Sequence, residues 1–237
     1  MRTLLVADIH GNLAALEAVL AVPHDALICL GDLVGCGPEP GECVRRIRAE
    51  AVVTVQGNHD YLIAAREAPV GPEPFRTLAR ATAPIAYREL GPEELAYLGG
   101  LPQRAWVQRG VYRCFCVHAT PADPLYRAVG PDPAAWAREL VGLNAGLVLV
   151  GHTHRQFDLR TGGRRVVNPG SVGLPLDGDA RAAYALLEHG RVTLGRVPYP
   201  VERTIEALRR ATLPPTVVNG LAAWLREGRA PPWPLAA

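Results

Sequence analysis

Asp8 and His10 stand two residues apart, just after the apolar run Thr3 to Ala7. His152 and His154 repeat that spacing after Leu147 to Val150. Between them in the chain, Asp32 follows Ala26 to Leu30, and Asn58, His59 and Asp60 follow Val52 to Val55. His118 ends the run Val111 to Val117. Five of the seven histidines thus sit at the end of an apolar run or in a polar cluster attached to one. Carboxylates, imidazoles and one amide carbonyl form a ligand set for borderline divalent ions: Mn, Fe, Ni, Co or Zn. In extended backbone, residues two apart project to one face. Each pair would therefore present its side chains together, with single ligands from the other runs completing two adjacent metal centres. No cysteine belongs to the set, which argues against a structural zinc site. Gly31, Gly57 and Gly151 each precede one of these residues and would let the backbone turn tightly beneath the ions.

Such residues need rigid elements to aim them. The apolar runs read as buried strands, and amphipathic helical patterns separate the first three. Asn12 is placed to cap a helix carrying Leu13, Leu16, Val19 and Leu20 on one stripe. A second helix starts near Pro38 to Pro40, with Val44 and Ile47 inward and Arg45, Arg46 and Arg48 in solvent. Strand, helix, strand, helix, strand predicts an α/β architecture with right-handed crossovers. In such sheets, sites form outside the carboxyl ends of strands, where all these polar residues fall. Residues 61–100 read as helices broken by Pro69, Pro72, Pro74, Pro84 and Pro92, a helical flank or lid. Strands then dominate, with turns at Gly110, Thr161 to Gly163 and Glu188 to Gly190, the last joining Ala183 to Leu187 with Val192 to Val197. Helical patterns return at Val201 to Ala211 and Thr216 to Arg226, before a tail with Trp233. No linker divides the chain, so residues 1–237 are expected to form one domain.

Composition narrows the chemistry. The 237 residues are 49% hydrophobic, enough for a sizeable core, and 25 basic against 23 acidic side chains leave a net charge of +2. That balance gives no strong nucleic-acid signal, and the pairs Arg164-Arg165 and Arg209-Arg210 fall short of a basic stripe. Every basic residue is arginine. The absence of lysine removes Schiff-base enzymes, Walker-type nucleotide sites and protein kinases. Cys29, Cys36, Cys43, Cys114 and Cys116 form no CxxC pair and read as reduced thiols. No signal peptide or membrane span is apparent, so a cytoplasmic protein is expected, free of membrane partners.

The ordered blocks Asp8-x-His10, Gly31-Asp32, Gly57-Asn58-His59-Asp60, His118 and Gly151-His152-x-His154 resemble the calcineurin-like metallophosphoesterase superfamily. Asn168-Pro169-Gly170-Ser171-Val172-Gly173 resembles a further signature of its small bacterial and archaeal phosphodiesterase branch. The resemblance implies two face-packed mixed β-sheets flanked by helices, the four-layer metallophosphoesterase fold. It implies that Asp8, His10 and His154 hold one divalent metal ion, that Asn58, His118 and His152 hold the other, and that Asp32 bridges both. A metal-bridging hydroxide would attack phosphorus in line, and His59 would be the catalytic proton donor to the leaving oxygen. The implied activity is a metal-dependent phosphodiesterase acting on a small or nucleotide-type diester. A phosphomonoesterase or nucleotide pyrophosphohydrolase is the alternative within that chemistry, and a metal-bound, non-catalytic interaction scaffold the alternative outside it.

The chain departs from the protein phosphatase branch of that family. Gly35 and Cys36 stand where that branch has the aspartate that orients the catalytic histidine and the arginine that grips phosphate, so its Ser/Thr phosphatase activity is not expected. Tyr126 and Arg127, on the loop after His118, are the candidates to contact substrate instead. Asp60 reads as a helix N-cap, Cys36 as a packed loop thiol, and His24 and His189 as surface residues. A second copy of the chain is a possible partner.

Overall fold

The computed structural model describes residues 1–73 and 75–231. Trp233, assigned above to a tail, lies outside the described residues. In chain order the elements are β1 (Arg2–Val6), α1 (Leu13–Leu20), β2 (Ala26–Cys29), α2 (Pro40–Glu50), β3 (Ala51–Thr54), α3 (Asn58–Ala65), α4 (Phe75–Glu89) and α5 (Pro92–Gly100). There follow β4 (Arg104–Arg109), β5 (Tyr112–Val117), α6 (Pro133–Glu139), β6 (Leu147–Leu149), β7 (Gln156–Thr161), β8 (Arg164–Pro169), β9 (Ala182–Glu188), β10 (Arg191–Val197), α7 (Val201–Arg210) and α8 (Pro215–Glu227). Among the described residues no helix is long and apolar enough to cross a membrane.

The strands build two mixed five-stranded sheets, ordered β10-β9-β1-β2-β3 and β4-β5-β6-β8-β7. β1, β2 and β3 run parallel, as do β5, β6 and β8. Alternation along β1 explains the layering. Leu4 and Val6 face out to Leu13, Leu16 and Val19 of α1 and to Val44 and Ile47 of α2. Leu5 and Ala7 face in, against Ile28, Leu30, Cys114, Cys116, Leu147, Leu149 and Val167. The second sheet turns Phe115, Val117, Val148 and Val150 outward onto Trp136 and Leu140, in and just after α6. With helices on both outer faces, strand interiors are covered on both sides and read as unbroken apolar runs. Each fully buried leucine or isoleucine among them contributes roughly 1.5–3 kcal/mol.

Some elements depart from the pattern read above. Pro84 does not end a helix but sits inside α4, since one missing N–H is outweighed by burying Leu78, Ile85 and Ala86. α6 escaped notice because it is only seven residues long. β4 is an edge strand whose half-exposed side chains carry no apolar run. Ile63, Ala86, Leu90 and Leu98, from α3 to α5 and the turn after α4, pack into the same cluster as Leu4. α7 and α8 form a cluster of their own with Leu78, Leu174 and Cys36.

Candidate metal centre

The two sets of parallel strands end on the same side; Asp8, His10, Asp32, His118, His152 and His154 fall in the turns that follow, and Asn58, His59 and Asp60 open α3. The backbone there is not extended. Asp8, His10, Asp32, His152 and His154 all have positive φ, between 49° and 65°. Each such non-glycine residue costs roughly 1–3 kcal/mol and persists only where its surroundings impose it. Here the imposition is main-chain bonding: Ile9 and His10 N–H donate to Asp32 O at 2.8 and 3.0 Å, and Gly11 N–H to Leu33 O at 2.9 Å. The Asp-x-His and His-x-His pairs converge because left-handed turns curl each side chain inward, not because a strand projects them to one face.

Seven side chains meet. His10 Nε2 lies 3.0 Å from His154 Nε2, and His154 Nε2 lies 3.7 Å from Asp8 Oδ1. Asn58 Oδ1 is 3.2 Å from His118 Nε2 and 3.1 Å from His152 Nδ1. Asp32 Oδ2 stands between the two groups, 3.7 Å from His10 Nε2 and 3.4 Å from His118 Nε2. Ligand atoms of Asp8, His10 and His154, and again of Asp8, Asp32 and His118, lie within 4.8 Å of one another.

Backbone carbonyls decide which nitrogen of each ring is free. His118 Nδ1 donates to Leu30 O at 2.7 Å, His154 Nδ1 to Leu174 O at 2.6 Å, and His152 Nε2 to Tyr126 O at 3.1 Å. In the neutral rings the opposite nitrogens would then carry lone pairs into the cluster, as metal-ligating imidazoles require; His118 reaches that state on losing the proton that Asp32 holds on it. Burial lowers the proton affinity of His10, His152 and His154, the last two to about 4. Burial would also raise Asp32, but His118 and His59 beside it hold the carboxyl well below the usual range. Burial lifts Asp8 to about 8, opposed by His118 and reinforced by Asp32. Burial depresses His118, yet the Asp32 carboxylate more than compensates and raises it to about 9. Asp8 Oδ2 and His10 Nδ1 are buried without a hydrogen-bond partner. An acceptor oxygen left bare in this imidazole- and carboxylate-rich cluster suits a divalent cation, so the residues fit the ions implied above.

The supports around the cluster were mostly invisible in the sequence. Asp60 is not the N-cap of α3 but its third residue. Its carboxylate accepts from Asp32 N–H at 2.8 Å, Leu33 N–H at 2.8 Å, Val34 N–H at 3.3 Å and Gly57 N–H at 3.0 Å. One carboxylate thus ties the Asp32 turn to the helix that carries His59. Asn12 does cap α1, accepting from Ala15 N–H at 3.2 Å. The 168–173 motif is a buttress: Asn168 donates to Gly151 O at 2.6 Å and Ser171 Oγ to Asp8 O at 2.7 Å. Ser171 Oγ also accepts from Leu174 N–H at 2.7 Å, and Leu174 is the residue whose carbonyl holds His154.

Gly57 is required by space. A Cβ there would overlap the Asp32 carboxylate and main-chain nitrogen. Gly57→Ala is expected to cost about 1–3 kcal/mol of stability by overpacking and to lower metal content, both checked by thermal melts and elemental analysis. An alanine variant with full metal content would show that the turn relaxes freely.

His59 is half-buried and lies outside both ligand groups, edge-on to His10 with ring centroids 4.9 Å apart. Its main-chain N–H donates to Asp32 Oδ1 at 2.8 Å. The ring packs so closely over Gly35 that a Cβ there would strike Nδ1 as the ring now lies. Arg127 Nε is ion-paired with Glu139 at 2.8 Å. Tyr126 contributes its carbonyl to His152, while burial raises its phenol.

A family model described as the calcineurin-like phosphoesterase superfamily domain matches residues 1–191. The chain belongs to that superfamily. A metallophosphoesterase from Sphaerobacter thermophilus shares the fold with a TM-score of 0.81 and 35% identity, covering 96% of this chain and 99% of the other. An uncharacterized protein of Methanocaldococcus jannaschii is 29% identical, covering 94% of this chain and 95% of its own length. A symmetrical bis(5'-nucleosyl)-tetraphosphatase of Pectobacterium carotovorum is 42% identical over 72 residues, 27% of this chain and 26% of that protein. This calcineurin-like phosphoesterase is a metal-dependent phosphoester hydrolase, and its two five-stranded sheets are those of the metallophosphoesterase fold.

Proposed function

We propose that this phosphoesterase hydrolyses small or nucleotide-type phosphodiesters at two divalent ions. Asp8, His10 and His154 would hold one ion, Asn58, His118 and His152 the other, and Asp32 both. Asp32 Oδ2 carries the proposal, since a single oxygen reaches His10 at 3.7 Å and His118 at 3.4 Å. When bound, the ions supply Lewis-acid polarisation of the phosphoryl group and activation of water. The protein's part is positional: the Leu30, Leu174 and Tyr126 carbonyls fix three rings, and Asp60 fixes the Asp32 turn. His59, outside the ligand groups, would hold the proton destined for the leaving oxygen. Residues 1–237 would act as one unit with 61–100 as a helical flank.

Charge favours a diester. Two carboxylates against two dications leave about +2, sufficient for a phosphodiester monoanion without lysine. Arg127 is already neutralised by Glu139, so a dianionic monoester finds little added charge; Tyr126 would contact substrate, and Arg127 would do so once that ion pair opens. A second reading, cleavage of the anhydride in a dinucleoside polyphosphate, is favoured by the 72-residue likeness to the tetraphosphatase.

Metal-stripped protein refilled with Mn, Ni, Co, Zn or Mg tests these readings on bis-p-nitrophenyl phosphate, its monoester and diadenosine tetraphosphate. Chelation should abolish activity, and Mn should restore diester cleavage at least as well as Mg, because imidazole favours the softer ion. Restoration by Mg alone would contradict the imidazole-rich centre. Preference for the tetraphosphate would select the second reading. No turnover despite two bound ions would favour a scaffold.

A further inference from the structure

Cys36 takes no part in the chemistry above, yet its sulfur and one ring nitrogen each of His59 and His10 lie within 4.8 Å of one another. Cys36 is buried, and its backbone is left-handed at φ 64°, a conformation that a non-glycine residue adopts only under constraint. His10 offers two nitrogens. Nε2 faces His154, while Nδ1 is buried and has no partner. A cavity of about 10 Å³ lined by His10, Cys36 and Leu174 gives the thiol room to adjust.

We propose that Cys36, His59 and His10 form a third cation position, selective for thiophilic divalent ions such as Zn or Cd, whose filling withdraws His59 from catalysis. The inhibitory half rests on the proton-donor reading of His59; the binding half does not. A tetrahedral ion with bonds of about 2.0–2.3 Å needs its ligand atoms roughly 3.5 Å apart, a small contraction from the present spacing. On binding, the Cys36 S–H and His10 Nδ1–H bonds break, both protons pass to water, and sulfur–metal and nitrogen–metal bonds form, leaving His10 as a bridging imidazolate with no change in oxidation state. His10 serves through Nδ1 and keeps Nε2 for the principal centre. Hard ions gain little from a thiolate, so Mn leaves this position empty, whereas Zn, which also binds the imidazole-rich principal centre more tightly than Mn, fills that centre first and this position beyond two equivalents. Excess Zn is then inhibitory where excess Mn is not.

The test uses full-length protein given two and then three equivalents of Zn, with the third read as the difference between the two X-ray absorption spectra at the zinc edge. One sulfur at about 2.3 Å is expected, and a shell of nitrogen and oxygen alone overturns the site. Co in place of Zn should give a near-ultraviolet thiolate charge-transfer band that Cys36→Ser loses. A band of equal size in that variant, or none in the natural protein, likewise overturns it. The third equivalent of Zn should slow diester hydrolysis by at least tenfold. Sulfur ligation with undiminished hydrolysis would keep the site and overturn the inhibitory role, placing the failure on His59.

Discussion

Asp32→Asn is expected to lose most of its bound metal and to fall about a thousandfold or more in diester hydrolysis, as the loss of several kcal/mol of charge stabilisation implies. The substitution is nearly isosteric, so what changes is charge and donor pattern. Asp32 Oδ1 accepts the His59 main-chain N–H, which an amide oxygen can still do. That contact fixes the orientation of the new side chain and puts its NH2 group where Oδ2 now stands. There it would face His10 Nε2 at 3.7 Å and His118 Nε2 at 3.4 Å, offering hydrogens where both groups need a lone pair. The carboxylate that raises His118 is also gone. Elemental analysis should find less than the two ions of the parent, with the melting profile of the metal-free protein little altered. Equal metal content and activity in variant and parent would remove Asp32 from the bridging position and with it the paired centre.

Residue types were legible in the sequence; backbone conformation was not. Asp8, His10, Asp32, Asn58, His118, His152 and His154 could be picked out because each follows an apolar run, and the structure gathers all seven into one cluster. The buried strands were equally plain, because both of their faces are covered and their sequences alternate little, whereas the half-exposed edge strand β4 was not. The means of convergence was hidden. Left-handed φ at Asp8, His10, Asp32, His152 and His154 has no local signature in residues that ordinarily avoid it, and it depends on main-chain bonds between turns far apart in sequence. For the same reason Asp60 was misread. A carboxylate at the start of a helix suggests a cap, whereas its partners at Asp32, Leu33 and Val34 are about 27 residues away. The motif from Asn168 to Gly173 could be noticed as a pattern, but its role became physical only when Ser171 was found on the Asp8 carbonyl. A signal was available at Gly57 and Gly35, where the side chains that leave no room for a Cβ belong to Asp32 and His59. A glycine beside a candidate ligand marks the place where another candidate ligand packs.

His59→Asn separates the proton donor from the ligands. The side chain sits outside both groups, touching them only through its main-chain bond to Asp32 and its edge contact with His10. Asparagine keeps the main-chain donor and fits beneath Gly35, so the variant should retain its full metal content. Its effect on turnover should depend on what leaves. An alkoxide is a poor leaving group and needs its proton in the transition state, so alkyl phosphodiesters should slow by about 100- to 10,000-fold. A nitrophenolate departs without help, so bis-p-nitrophenyl phosphate should slow by much less. The ratio of the two rates, measured on protein of verified metal content, is the decisive quantity because a purely structural defect would depress both esters together. If both slow equally while the ions remain bound, the proton must come from elsewhere, and His59 would serve to pack the Asp32 turn.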